Sequence, residues 1–234
     1  MRLRSVDFAM YARAVPLLLR HPTVFVMPLL AAVVDILIQQ ISPYFTDPVG
    51  GLGLFLFQMI TQLLYFFCFG VAVIGANNVW RGRRASFDEA WEEGRHKAGG
   101  ILIAAIGFYF LMWVAQYIGE FLGGGYVGLI LQLVVAFFLI YTLPASAIGG
   151  MPGNLAIGAS FRAVRENLLG AAILAIVFVA LWTFLPSFIL TRFVTGLNVI
   201  EYQLTFAVVR AIVLAYLAFP FAKQYDDVAF RGFW

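Results

Sequence analysis

The chain has 234 residues, of which 63% are hydrophobic and only 12% are charged, and its formal net charge at pH 7 is +3. Soluble domains are about half apolar and about a quarter charged, so this composition excludes an ordinary soluble domain and predicts an integral membrane protein. The small and dispersed positive charge also excludes the basic footprint of a nucleic-acid-binding protein.

Six apolar stretches follow one another along the chain, each comparable to the roughly 20 residues that a helix needs to cross a bilayer. They lie at 22–41, 52–79, 99–119, 126–148, 169–190 and 203–222. Prolines inside these stretches predict kinks, at Pro28, Pro144, Pro186 and Pro220. No linker or change of composition separates the stretches, so we expect a single polytopic membrane domain over 1–234.

Lysine and arginine are distributed unevenly between the connections. Most of them precede span one, follow span six, or lie between spans two and three or spans four and five. The other three connections contain only Arg192. By the positive-inside rule, both termini should be cytoplasmic, and loops 42–51, 120–125 and 191–202 should face outward.

A short amphipathic segment precedes each pair of spans. The three segments begin at Ser5, Ser86 and Ser160. In the second segment, Ser86 and Glu89 form an S-x-x-E capping-box pattern, and Phe87 and Trp91 share an apolar face at helical spacing. Phe161 takes the corresponding position in the third segment. We therefore predict three interfacial helices, with Phe87 and Trp91 buried in lipid or against the bundle.

The spacing of these segments fits a repeated unit made of one interfacial helix and two spans. The units would cover 1–79, 80–153 and 154–234. Any cytoplasmic helix that leads into a span would look similar, so a threefold repeat is one of two interpretations. The predicted fold class is an all-α membrane protein, with six transmembrane helices arranged as three hairpins, each preceded by a short amphipathic helix.

Two ionisable residues lie inside the predicted spans, Asp35 in the first and Arg210 in the sixth. At a rise of about 1.5 Å per residue, Asp35 is about 20 Å and Arg210 about 18 Å from the inner end of its span. Unpaired charges at this depth are costly, so we expect the two side chains to face each other as a buried salt bridge. The pair would be either a structural clasp or a site for a substrate or a proton.

Amide side chains form a second polar feature in the outer halves of spans one to four. They are Gln39, Gln40, Gln58, Gln62, Gln116 and Gln132. Hydrogen bonds between amides on neighbouring helices stabilise membrane bundles, which is one interpretation. The other is a polar cavity open to the outside, with Asp35 and Arg210 at its floor.

The sequence lacks the motifs of common catalytic and cofactor-binding sites. It contains no H-E-x-x-H, no G-x-S-x-G, no P-loop and no Cys or His ligand pair. Intramembrane aspartyl catalysis needs two acids, whereas only Asp35 lies inside a span. We therefore expect no enzyme activity, no cofactor and no metal site.

Three short motifs are similar to those of a known group of proteins. They are Ser86-Phe87-x-x-Ala90-Trp91 before span three, Ser160-Phe161 before span five, and the tail that begins Tyr225-Asp226. The chain resembles a family of bacterial six-span membrane proteins of unknown function. It is similar to the membrane domain fused to some bacterial glycerophosphodiester phosphodiesterases, although a second arginine and a glutamate of the family's tail are missing. The resemblance implies an accessory or transport-related module of the bacterial cytoplasmic membrane, without catalytic residues.

Two functions are compatible with these patterns. The first is a non-catalytic accessory or scaffold subunit, or a lipid-interacting module, whose partners would be membrane lipids and other membrane-protein subunits. The second is a transporter for a small or amphiphilic solute. A polar cavity that reaches Asp35 would favour the transporter, and a fully packed bundle would favour the scaffold.

Overall fold

The computed structural model describes residues 7–46, 51–193 and 198–230. These residues form eleven α-helices and one π-helical turn, and the described ranges contain no strand. A helix satisfies its backbone hydrogen bonds within itself, which is what an apolar segment requires when water is excluded.

Six helical segments are long and apolar enough to cross a membrane, which confirms the predicted number of spans. Four of them are the single helices α2 (Thr23–Thr46), α3 (Gly51–Trp80), α5 (Ala98–Gly123) and α11 (Val199–Ala229). The fourth span combines α6 (Gly125–Leu139) with α7 (Thr142–Ala147). The fifth combines α9 (Leu168–Val179), the π-helical turn (Ala180–Phe184) and α10 (Leu185–Phe193).

The sixth span is longer than predicted, because its apolar helix continues to Ala229 instead of ending at 222. Two acidic residues in this extension are paired. Asp226 accepts from Arg81 at 2.7 Å, and Asp227 contacts Lys223 one turn away at 2.6 Å. Since these ion pairs satisfy the carboxylates, the helix does not have to end where the charges begin.

Two of the four prolines mark interruptions of the spans. The break between α6 and α7 lies just before Pro144, and the π-helical turn lies just before Pro186. A proline ring clashes with the carbonyl four residues earlier and removes one backbone donor, so the regular helix is disturbed on its N-terminal side. α2 and α11 run without a break past their own prolines, Pro28 and Pro220.

Three short helices precede the pairs of spans, namely α1 (Ala9–Arg20), α4 (Phe87–His96) and α8 (Gly153–Glu166). Ser86 caps α4, because its Oγ accepts from the Glu89 backbone N–H at 3.4 Å. The residues of α4 that are buried against the protein are Ala90 and Gly94, whereas Trp91 is 39% exposed. Burial of Trp91 against the bundle is therefore not found, because the close approach of α4 to α3 requires small side chains at the contact.

Ser160 lies inside α8 and does not cap it, so its structural role differs from that of Ser86. Its Oγ donates to the Phe138 carbonyl at 2.8 Å and accepts from the Tyr141 N–H at 3.1 Å, across the break in span four. Phe161 is 40% exposed and stacks on the Phe138 ring. Ser5 lies outside the described residues. The internal repeat therefore stays a prediction.

α11 lies at the centre of the bundle and packs against α1, α2 and α3. Alanines recur along it at helical spacing and are fully buried, at Ala207, Ala211, Ala218 and Ala222. Small side chains let membrane helices approach closely. The same device joins α5 to α6, where a Cβ on Gly119 would collide with the backbone of Gly128.

The two ends of the bundle differ in what they carry. α1, α4 and α8 pack at one end, which we call the proximal end. The last residues of α2, α5 and α10 and the first residues of α3, α6 and α11 lie at the other, distal end. Rings from the distal halves of neighbouring spans meet, as Phe55 of α3 does with Trp113 of α5 at 5.2 Å. The polar residues singled out above lie mainly in this distal half.

Candidate functional site

Asp35 is buried in the bundle, with 3% of its surface exposed, and both oxygens of its carboxylate have hydrogen-bond donors. Gln39, one turn along α2, donates from Nε2 to Oδ1 at 2.7 Å. The hydroxyl of Tyr65 on α3 donates to Oδ2 at 2.9 Å. Two donors on two helices thus hold this carboxylate, and among the described residues no cation forms an ion pair with it.

Asp35 borders a cavity of about 390 Å³ between α2, α3, α5 and α11. Most of the other lining side chains are polar, and the full set is Asp35, Ile38, Gln39, Phe57, Gln58, Thr61, Gln62, Tyr109 and Arg210. Binding pockets for small molecules usually occupy about 300–1,000 Å³. The cavity is therefore large enough for a small organic solute.

Arg210 reaches the same cavity from α11, and aromatic rings cover its guanidinium. The Cζ atom lies 4.5 Å from the ring centre of Trp182 and 4.4 Å from that of Phe206. In the part of the chain that the structure describes, the guanidinium makes no hydrogen bond or ion pair, and its Nε is buried without an acceptor. The cation is thus stabilised by π faces while its N–H donors stay unused.

The predicted salt bridge between Asp35 and Arg210 is not formed. Both side chains line one cavity, as the depth estimate suggested, but among the described residues no nitrogen of Arg210 lies within 4.0 Å of a carboxylate oxygen of Asp35. The reason is local, since Gln39 and Tyr65 hold the carboxylate on α2, whereas Trp182 and Phe206 hold the guanidinium.

The cavity extends from the distal end towards the middle of the bundle. Measured from the distal ends of the helices at about 1.5 Å per residue, Gln58 lies about 11 Å deep, and Asp35 and Arg210 both lie about 17 Å deep. Tyr109 lies about 21 Å deep. The amide of Gln58 therefore stands nearer the mouth, and Asp35, Arg210 and Tyr109 lie near the floor.

A layer of packed aromatic rings lies below the floor. Phe66, Phe108 and Phe178 contact one another with ring centres 5.3–6.3 Å apart, and all three are almost completely buried. Trp182 stacks on Phe178 and also contacts the Tyr65 ring at 5.7 Å. The tryptophan that covers Arg210 is thus part of the layer that closes the cavity on the proximal side.

The predicted glutamine layer is divided among three places. Gln40 on α2 donates to Gln203 on α11 at 3.0 Å, outside both cavities described next. Gln39, Gln58 and Gln62 line the cavity that contains Asp35. Gln116 and Gln132 line a different cavity of about 350 Å³ between α5, α6 and the π-helical turn, where Gln132 donates to Gln116 at 3.5 Å. The predicted set therefore does not form one continuous layer.

Several residues that line the cavity or contact its charged side chains were not predicted from the sequence. They are Thr61 and Tyr109, which line it, and Tyr65, Trp182 and Phe206, which contact Asp35 or Arg210. A signal for Thr61 and Tyr65 was present, because Gln58, Thr61, Gln62 and Tyr65 follow the spacing i, i+3, i+4, i+7, which places them on one face of α3. No comparable spacing indicates Trp182, which is brought to Arg210 by the packing of separate spans.

The arrangement offers hydrogen-bond donors, acceptors and the guanidinium of Arg210, which has no hydrogen-bond partner among the described residues. Amides and hydroxyls can bind polar groups of a solute, and a guanidinium can bind an anionic group through two parallel hydrogen bonds. Among the described residues, no three His, Cys, Asp or Glu side chains come together in a group that could hold a metal ion.

Comparisons with models of known families, with curated proteins and with solved structures give no match to this chain. The resemblance to the membrane domain of glycerophosphodiester phosphodiesterases therefore stays a hypothesis. What can be inferred about function comes from the geometry of the cavity and from the charges that line it.

Proposed function

We propose that the chain is a membrane transporter for a small polar or amphiphilic solute, which binds in the cavity between α2, α3, α5 and α11. The observation that carries this proposal is a polar-lined cavity of about 390 Å³ that reaches Asp35 and Arg210, whose guanidinium has no hydrogen-bond or ion-pair partner among the described residues. A polar cavity at this position was the feature expected of a transporter and not of a fully packed scaffold.

The energetics of Arg210 support the same proposal. An arginine near the middle of a membrane helix costs about 2.5–3.5 kcal/mol on insertion scales, and ionisable residues at such depth usually serve function. A purely structural arginine would be expected to lie against a carboxylate, but Asp35 is held by other donors. An arginine without an acceptor among the described residues is explained if a solute supplies the acceptor.

The proposal includes an orientation. The positive-inside rule places the proximal end and both termini in the cytoplasm, so the cavity opens away from it. In this arrangement the six spans form three hairpins, each led by an interfacial helix, in the bacterial cytoplasmic membrane. Membrane lipids then surround the exposed apolar side chains, such as Leu30, Ile60 and Ile130.

Passage of a solute requires the aromatic layer to open, and the fifth span has a backbone suited to such movement. The π-helical turn at Ala180–Phe184 carries Trp182, and Pro186 follows it. π-Helical turns occur often at functional sites, and a proline weakens the hydrogen bonding of the turn before it. We infer that bending of this span moves Trp182 away from the floor of the cavity.

Cysteine labelling tests the proposal without knowledge of the solute. In a Cys68→Ala background, which removes the chain's one cysteine, Gln62→Cys places a thiol in the cavity. Ile60→Cys is the matched control, because it lies at nearly the same depth on α3 with an exposed side chain outside the cavity. An impermeant methanethiosulfonate reagent is applied to intact cells and, separately, to inside-out vesicles.

We expect the thiol at position 62 to react from outside at least ten times faster than the thiol at position 60, because thiols react as thiolates in water and not in lipid. A transporter also predicts slower reaction at position 62 from the inner side, when the aromatic layer opens. No reaction at position 62 from either side would refute a solvated cavity. Reaction from the outer side alone would refute transport.

The accessory or scaffold function is the second candidate, and the packing of the proximal half favours it. Large side chains such as Tyr141, Phe219 and Tyr225 are fully buried there, and Arg81 joins Asp226 across the end of the bundle. The labelling experiment also decides between the two functions, because a packed scaffold predicts no reaction at position 62 from either side. Under this alternative, other membrane-protein subunits are the expected partners.

A further inference from the structure

We propose that the cavity binds its solute through a single anionic group, a carboxylate or a phosphate, held by the guanidinium of Arg210. The inference rests on the proposed function and names the class of solute that the cavity takes. It starts from Arg210, whose guanidinium has no hydrogen-bond or ion-pair partner among the described residues and whose Nε is buried without an acceptor.

The two rings around Arg210 determine how an anion can approach. Trp182 and Phe206 lie over the guanidinium, with ring centres 4.5 and 4.4 Å from Cζ. The N–H donors of a guanidinium lie in its plane and point outward from its edge. Because Trp182 and Phe206 take the π contacts and Arg210 lines the cavity, we infer that its N–H edge is the part available to a solute. Such an edge can form two parallel hydrogen bonds to a carboxylate or phosphate.

Asp35 cannot take the place of this anion in the observed arrangement. Its carboxylate is held by Tyr65 and Gln39 and lies beyond ion-pair distance of Arg210. A buried cation without a direct counter-ion is costly, and a bound anion would remove that cost. The site therefore gains electrostatic energy when it is occupied by an anion and gains little from a neutral solute.

Asp35 also limits the charge of the solute. Because it lines the same cavity, a second negative group on the solute would be repelled by it. The remaining polar groups are amides and hydroxyls, from Gln58, Gln62, Thr61 and Tyr109, while Ile38 and Phe57 add apolar surface. A monoanion with a small, partly apolar body matches this lining better than a polyanion does.

Tryptophan fluorescence provides the test, because Trp182 is in direct contact with Arg210. The purified full chain in lipid nanodiscs is titrated with benzoate, with its neutral isostere benzamide, and with inorganic phosphate, at constant ionic strength. We expect a saturable fluorescence change with at least one anion, and at least tenfold weaker binding of benzamide than of benzoate if the carboxylate is the anion taken. Trp182→Phe keeps a ring over Arg210 and should abolish most of the signal.

Variants locate the anion. Arg210→Gln should lower the affinity at least tenfold, Arg210→Lys should retain part of it, and Arg192→Gln is the matched control because this arginine is exposed on α10. If Arg210→Gln fails to fold, the comparison of benzoate with benzamide on the unmodified chain still decides. Phosphate binding without benzoate binding would assign the anion as a phosphate, and the reverse would assign a carboxylate.

Three results would overturn the inference. These are no response to either anion up to tens of millimolar, equal binding of benzamide and benzoate without phosphate binding, or unchanged anion affinity in a folded Arg210→Gln variant. If position 62 is labelled as expected but neither anion binds, the proposed transport function stands and only the anion assignment fails. If position 62 is not labelled, the proposed function fails first.

Discussion

The hydroxyl of Tyr65 stabilises the buried carboxylate of Asp35, and we predict that Tyr65→Phe destabilises the folded protein. The hydroxyl donates to Oδ2 at 2.9 Å, and the two residues are 0% and 3% exposed. Phenylalanine keeps the ring and its edge contact with Trp182 at 5.7 Å. The substitution therefore removes the hydrogen-bond donor and little else.

The magnitude follows from the charge of the acceptor. Hydrogen bonds to charged groups contribute about 1.5–3 kcal/mol, compared with about 1 kcal/mol for neutral pairs. Gln39 continues to donate to Oδ1 in the variant, so the carboxylate keeps one of its two partners. We therefore expect the free energy of unfolding to fall by about 1.5–3 kcal/mol.

The assay is reversible unfolding in mixed micelles, followed by circular dichroism, for a double-mutant cycle of Tyr65→Phe and Asp35→Asn. The coupling energy should be at least about 1.5 kcal/mol, because both changes remove the same hydrogen bond. Tyr109→Phe is the matched control, since Tyr109 lines the same cavity but its hydroxyl makes no hydrogen bond in the described part of the chain. That control should change stability by less than about 0.5 kcal/mol.

Two results would refute this account of Asp35. One is a Tyr65→Phe variant within about 0.5 kcal/mol of the unmodified protein, which would mean that water replaces the hydroxyl at little cost. The other is additivity of the two substitutions, which would mean that the hydroxyl and the carboxylate are not coupled.

The remaining predictions concern packing, the break in span four, and orientation. Gly119→Ala should prevent the close approach of α5 and α6 and lower the thermal unfolding midpoint in detergent by several degrees. Gly125→Ala is the control, because a Cβ at Gly125 meets no other atom, and it should leave the midpoint unchanged. Equal midpoints for the two variants would contradict the contact. Ser160→Ala should cost about 1–3 kcal/mol in an unfolding titration, because it leaves two backbone groups unsatisfied, and a smaller loss would show that other groups satisfy them. A cysteine at Glu120 should react with an impermeant reagent on intact cells, and one at Arg84 only after permeabilisation; the opposite result would reverse the orientation.

The number of spans could be predicted from the sequence because it depends on composition summed over about 20 residues, which single contacts hardly alter. The end of the sixth span could not be predicted in the same way. Asp226 and Asp227 look like the start of a solvated tail, but Arg81, far away in the sequence, and Lys223 pair with them. Helix ends that depend on distant partners are not visible in a local hydropathy average.

The amphipathic pattern of α4 predicted the helix and its cap but not its orientation against the bundle. Phe87, Ala90, Trp91 and Gly94 share one broad face, and hydrophobicity points to the aromatic residues as the contact. In the structure the smallest members, Ala90 and Gly94, make the close contact with α3, and Trp91 touches Phe67 from the side. Shape, which a hydrophobic pattern does not record, decides the contact.

Asp35 and Arg210 line one cavity, as their similar depths along the spans suggested. Similar depth does not, however, determine whether two side chains are in contact. A contact also depends on the direction of each side chain around its helix and on competition from nearer groups. Gln39 follows Asp35 by one turn, and Phe206 precedes Arg210 by one turn, so each charge has a partner on its own helix. Tyr65 and Trp182 then complete the two environments from other spans.

The carboxylate of Asp35 and the guanidinium of Arg210 lie in different environments, and this difference is the basis for the proposed function. The carboxylate has its donors, so nothing further is needed to keep it buried. The guanidinium contacts two π faces, which stabilise a cation by about 0.5–2 kcal/mol each, and it makes no hydrogen bond to the described residues. A structural clasp would have joined the two charges and satisfied both. Their separation across one cavity leaves a donor set that an anionic solute can complete, and a clasp offers no reason for that separation.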